Sequence, residues 1–257
     1  MHGEDPRSGL RQLKAAEFLY YRQEKKMLKY NEFIEKVTKA GFWTPYTNYI
    51  NQETFAFAHD GNNPEGQSYT NGPETDPETW KNRTAQEKNL AYGHFFNGKP
   101  GGYIAPRFYS IFIDAFRPRM TVEERFNAGK LGQMEMKIWN LINEKNSPIA
   151  ISDIYNHYGF RAKEKAREVE SAFKCLQMTF DITISGFIED EYHNGKPNKF
   201  TGYDKVDNWV PKEWMAMNPR MEHGEALDVI YRQAEKISNA GDAKKAFRQS
   251  LKLYTYS

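Results

Sequence analysis

The clearest hydrophobic pattern in the chain is the stripe Ala162, Ala166, Val169, Phe173 and Leu176. Its +4, +3, +4, +3 spacing predicts a helix over about 163–176. Just before it, Gln133 to Glu144 carries Met134, Ile138, Leu141 and Ile142 on one side, which predicts another helix. Pro148 to Ile151 reads as a short extended link, followed by a short helix, Asp153–Tyr158, capped by Ser152 and stopped at Gly159. Beyond the long helix the period changes from helical to alternating in Phe180-Asp181-Ile182-Thr183-Ile184-Ser185. A polar stretch from Glu189 to Asn198 contains the turn signal Asn194-Gly195-Lys196-Pro197, and Phe200 to Val206 can return as the paired strand. Helix, short helix, longer helix and β-hairpin, with a short Gly-containing turn at Gly159–Ala162, is the order of a winged helix over about 133–210.

Elsewhere the pattern is looser. Leu10 to Gly41 reads as helix, with Leu13, Phe18, Met27, Phe33, Ile34 and Val37 apolar and a second start capped by Asn31. From Phe42 to Pro77 aromatics sit among Thr, Asn, Gly and Pro, as in a long polar loop. Asp76 or Thr79 can cap a helix from Trp80 to about Leu90, and Asn97-Gly98-Lys99-Pro100 reads as a hairpin turn between Phe96 and Tyr103. A helix follows Ala105-Pro106, with Phe108, Ile111, Phe112, Ala115 and Phe116 as its apolar face and Pro118 as its end. The last helix, Gly224 to Ser238, precedes a basic tail. The expected organisation is a disordered N-terminus (1–10), a helical, winged-helix-like region with a long polar loop (11–130), a winged helix (131–212) and a C-terminal helix with its tail (213–257). The expected class is α+β, mostly helical, and no internal repeat stands out.

Composition narrows the function classes. The chain has 257 residues, 39% of them hydrophobic and 15% aromatic, enough for a sizeable core. Charged residues make up 27% with both signs mixed, and the formal net charge is +2, so this is no acidic or basic tail protein. A pI near 8.4 permits a nucleic-acid partner without demanding one. One cysteine, Cys175, forms no internal disulfide and no Cys-based zinc site; it reads as a small buried hydrophobe in an intracellular, cytoplasmic chain. No stretch is long and apolar enough to span a membrane, no metal-ligand spacing occurs, and no cofactor is implied. Oligomeric state is not legible.

The segment Tyr203-Asp204-Lys205-Val206-Asp207-Asn208-Trp209-Val210-Pro211 resembles the wing exit of the AlkZ- and YcaQ-type DNA glycosylases. Lys39-Ala40-Gly41-Phe42-Trp43, Ala58-His59-Asp60, Trp80-Lys81 and Arg107-Phe108-Tyr109-Ser110 are similar to the shorter AlkZ-related proteins, and the likeness runs from about Glu32 to Gly241. It implies tandem winged helices and contact with double-stranded DNA, in repair of alkylated bases. The glycosylases use a Gln-x-Gln pair on the hydrolytic water, and no two glutamines here lie two apart, so that pair is not carried over. The alternatives are a regulator-like DNA binder without chemistry and a ligand- or protein-binding module on the same fold.

The candidate residues follow. Lys163, Arg167, Ser171 and Lys174 lie opposite the apolar stripe, flanked by Arg161, as a groove-entering helix requires. From Arg161 to Lys174, however, three glutamates offset five cations. Asn194, Lys196 and Lys199 on the hairpin suit a phosphate backbone or minor groove. Trp43, Tyr46, Trp80 and His94 could line a pocket that stacks on a planar base, or could be core. His59-Asp60 is the candidate acid/base pair, with Asp60 orienting a water; a loop His-Asp making local hydrogen bonds is the plain alternative.

Overall fold

The computed structural model describes residues 29–43, 74, 77–95, 101–193 and 196–237, with side chains at all of these except 77, 78, 190–193 and 196–198. The expected N-terminal disorder at 1–10, the stretch 10–28, the long loop between residues 44 and 73 and the basic tail lie outside the described residues.

Helix α1 (Tyr30–Ala40) starts one residue before the expected cap, with the Lys29 N–H donating to Glu32 Oε2 at 3.1 Å. It ends at Gly41, whose φ of +91° and a Cβ that would stand 2.4 Å from the Phe108 ring both require glycine. Strand β1 (Phe42–Trp43) follows, then α2 (Pro77–Gln86), β2 (Ala91–Gly93) and β3 (Gly102–Ile104). The sheet order is β1-β3-β2, all antiparallel. The second helix starts where a cap at Asp76 would place it and ends earlier than expected, because Lys88 turns the chain at φ +56°.

Pro106 opens α3 (Pro106–Phe116), which is apolar nearly all round and buried accordingly. The sequence pattern missed α4 (Val122–Asn127). Six residues carry no periodicity, but Thr121 and Glu124 form a capping box: Oγ1 of Thr121 accepts the Glu124 N–H at 3.1 Å and Glu124 Oε2 accepts the Thr121 N–H at 2.8 Å.

From α5 (Gln133–Lys145) the order is as expected: α6 (Ile151–Tyr158), α7 (Ala162–Met178), β4 (Ile182–His193) and β5 (Lys196–Lys205). Ile149 exchanges both backbone hydrogen bonds with Tyr203 of β5, at 2.9 and 2.8 Å. The second sheet therefore repeats the order of the first, an early strand segment beside the last strand of a hairpin that follows a helix. Three local expectations need correction. Ser152 lies inside α6 rather than capping it; Asp153 reaches back to the Ala150 N–H at 2.7 Å instead. The stripe of α7 buries only from Val169 onward, while Ala162 is exposed and Ala166 half-buried. The strands also run through the polar stretch expected as a turn, pairing as far as His193 and Lys196, because backbone pairing across a tight turn needs no apolar residues.

Short helices α8 (Val206–Trp209) and α9 (Lys212–Ala216) lead to α10 (His223–Ile237), which buries Ala226, Ile230 and Ala234 and packs on α3. The result is α+β and mostly helical, with two small sheets. Among the described residues no helix is long and apolar enough to cross a membrane.

The two sheets meet through α2 and β4. Gly186 lets β4 approach Gln86, Asn82 Nδ2 donates to Thr201 Oγ1 at 3.1 Å, Trp209 Nε1 donates to the Ala85 carbonyl at 3.2 Å, and Lys88 Nζ donates to the Trp209 carbonyl. Burial pushes the Lys88 ammonium down to about 8, with Asp204 opposing. Phe95 stacks on Phe180 at 5.0 Å. At the centre lies Arg125, fully buried, whose Nη2 donates to both Asp181 oxygens at 2.6 Å. Replacing Arg125 by Met leaves a buried carboxylate unpaired and should cost about 3–5 kcal/mol in urea unfolding. The double change R125M/D181L should recover part of that loss; equal cost for both variants would mean that the pair is not what holds this junction.

Candidate nucleic-acid interface

The first two turns of α7 stand clear of the core. Val169, Ala172, Phe173 and Leu176 are buried on one side, while Lys163, Arg167, Ser171 and Lys174 are exposed on the other. The helix can therefore be both packed and presented, its C-terminal half gripping the core and its N-terminal half projecting. Two of its acidic residues are neutralised locally. Lys165 Nζ lies 2.6 Å from Glu168, and Arg161 Nη1 lies 3.6 Å from Glu164. Lys163, Arg167 and Lys174 have no ion-pair partner among the described residues; they share the outward face with the exposed Glu170, so its net charge stays at the +2 of the residue count.

On the hairpin, Lys199 pairs across the strands with Glu189 at 3.4 Å and lies 5.6 Å from the centre of the Phe187 ring. Its charge is partly spent within the protein. Lys196 stands at the end of β5 and Asn194 lies outside the described residues, as do Tyr46, His59 and Asp60.

Trp43 and Trp80 belong to the interior. Trp80 is 0% exposed and stacks on Phe33 at 4.9 Å. Trp43 is 7% exposed on β1, paired with Tyr103, and its Nε1 finds no acceptor among the described residues. Neither offers a ring face to a ligand, so the pocket expected at these residues is filled by the protein's own aromatics. Trp80→Ala should cost about 3–5 kcal/mol in chemical denaturation.

His94 does sit at a junction of charge, and sequence reasoning missed its partners. Its N–H donates to Gln177 Oε1 of α7 at 3.2 Å. Burial, then Lys174 and Lys81, push its imidazole down to about 4, so it is neutral at pH 7. Because the folded value is depressed below the usual 6.5, the unfolded chain alone binds this proton between about pH 6.5 and 4. His94 should therefore remove stability as pH falls through that window, by an amount on the order of 3 kcal/mol, and nothing further below it. From pH 7 to pH 4 the urea midpoint of the unaltered chain should fall further than that of His94→Gln; parallel curves would refute the assignment.

Among the described residues no three His, Cys, Asp or Glu side chains converge as a metal-ligand set. A family model described as AlkZ related matches residues 27–252. The chain belongs to the AlkZ-related family. No curated protein and no solved structure matches it. The match covers both sheets, all the described helices and the projecting half of α7, so the family assignment extends to the surface described above.

Proposed function

We propose that this AlkZ-related chain is a tandem winged-helix protein that binds double-stranded DNA, with α7 in the major groove and the β4–β5 hairpin as a wing along the backbone. The repeated sheet order supports the fold reading: each unit has an early strand beside the second strand of a hairpin, and a helix leads into that hairpin. The observation that carries the binding reading is the exposed outer face of α7, with Lys163, Arg167 and Lys174 unpaired among the described residues and Glu170 the one acidic residue beside them that is not in an ion pair there. Family membership supports a part in DNA repair, for which we propose alkylated bases as the target and cytoplasmic DNA as the partner.

The missing Gln-x-Gln pair favours a second reading, DNA binding without base excision. In the catalytic version Asp60, beside His59, is the carboxylate that orients the water.

Replacing Lys163, Arg167 and Lys174 together by Ala should weaken binding to all duplex sequences alike. It should flatten the slope of log K against log salt by roughly one unit per charge removed. An unchanged salt titration would move the interface away from α7. Release of free base from an alkylated duplex, abolished by Asp60→Asn, separates the catalytic reading from the binding one.

A further inference from the structure

A cleft of about 1030 Å³ opens between the C-terminal end of α3, the chain through α4, and the start of α10. It lies apart from α7 and contains none of the residues assigned above. Its walls mix apolar side chains, Ile113, Phe116, Met120 and Met221, with Arg125 and Asp114. Those last two are the informative ones. Arg125 is fully buried, and while Nη2 serves Asp181, its Nη1 has no acceptor among the described residues. The Asp114 side chain is 2% exposed; Oδ2 accepts the Met221 N–H at 2.9 Å. Its Oδ1 has no hydrogen-bonded donor among the described residues, because Arg220 Nη1, 3.0 Å away, lacks the alignment of a hydrogen bond.

The cleft lining thus holds a buried donor without an acceptor, Arg125 Nη1, and a buried carboxylate oxygen, Asp114 Oδ1, whose neighbouring cation Arg220 meets it without a hydrogen bond. Each such atom is costly unless something completes it. An anion would satisfy Arg125 but be repelled by Asp114, and an apolar ligand would satisfy neither. The ligand that completes both carries an acceptor and an N–H donor on one rigid apolar body, which describes the edge of a nucleobase. Arginine donates to guanine O6 and N7, and a carboxylate accepts from base N–H groups. Arg119 and Arg220, 89% and 77% exposed at the mouth, pair with Glu222 and Asp114 at 3.0 Å through one nitrogen each and keep further N–H groups for a phosphate. The volume is at the upper end of that of small-molecule sites.

We propose that this cleft is a nucleotide site, in which Arg125 and Asp114 take the edge of the base, Phe116 and the methionines its faces, and the arginines at the mouth its phosphate. The choice of a nucleotide among amphoteric ligands rests on the nucleic-acid reading of the family. Arg220 covers Asp114 at 3.0 Å and swings aside on binding, as its exposure allows.

Calorimetric titration of the full chain with dGMP tests this. Binding should weaken about ten- to hundredfold in Asp114→Asn, the range for loss of a hydrogen bond to a charged group. Arg119→Glu, changing a side chain that is 89% exposed and whose pair with Glu222 is itself in solvent, should weaken it about tenfold with little change in melting temperature, so the test survives if Asp114→Asn unfolds. The Lys163, Arg167, Lys174 triple variant should bind dGMP normally, whatever it does to duplex, which separates failure of the cleft from failure of the groove. A single-stranded oligonucleotide that displaces dGMP assigns the site to DNA, and one that does not assigns it to a free nucleotide. No dGMP binding at millimolar concentration, unchanged binding in folded Asp114→Asn, or displacement of dGMP by equimolar inorganic phosphate or methionine would each overturn the proposal.

Discussion

A guanidinium with no access to solvent anchors the molecule. Arg125 reaches from α4 to Asp181, at the junction where α7 ends and β4 begins, while Asp181 also accepts from Thr179 and its carbonyl receives the Val206 N–H. One carboxylate thus gathers the helix that presents the cationic face, the hairpin that follows it and the linker into α8. Burial raises the Asp181 carboxyl, and Arg125 and Arg117 oppose that shift. Taking both charges out of water consumes most of their attraction, so the pair is better understood as fixing geometry than as adding stability. A second, exposed fork reinforces it: Arg117 donates to both oxygens of Asp207 at 2.7 Å and holds that carboxyl below the usual range.

That anchoring explains how α7 can project. A helix whose whole length packed on the core would bury its outer turns, and one held only by its own hydrogen bonds would be marginal in water. Here Phe173 meets Tyr203 at 4.4 Å, Gln177 bonds to His94, and the helix end is tied through Asp181 to Arg125. The N-terminal turns need no packing of their own, which leaves Lys163 and Arg167 to face outward.

The parts of this fold that depend on local pattern were legible in the sequence. The helices α3, α5, α7 and α10, the Gly159 stop and the pairing of strands across Asn194-Gly195 all follow from apolar period and turn chemistry. What was not legible depends on distant partners. Arg125 reads as a surface charge because nothing within α4 announces Asp181, 56 residues away. The repeat was hidden because the two sheets share strand order and not length, with three-residue strands in one and strands of 12 and 10 in the other. The tetrapeptide Asn-Gly-Lys-Pro occurs at 97–100, between β2 and β3, and again at 194–197, between β4 and β5; it was visible as two turns and not as one signal used twice.

The aromatics show why composition misdirects a search for a site. Strands of two and three residues bury little on their own, so the first sheet depends on large rings to fill the space beneath it. Tyr30, Phe33, Trp80 and Tyr103 do so, ring against ring at 4.8 to 6.0 Å. A chain with 15% aromatics and such short strands needs those residues as core before it can lend any to a ligand. The places left for recognition are where polar groups are buried without completion or exposed without partners. Among the described residues the Arg125 and Asp114 side chains of the cleft and the outer face of α7 are such places, and neither is marked by an aromatic cluster.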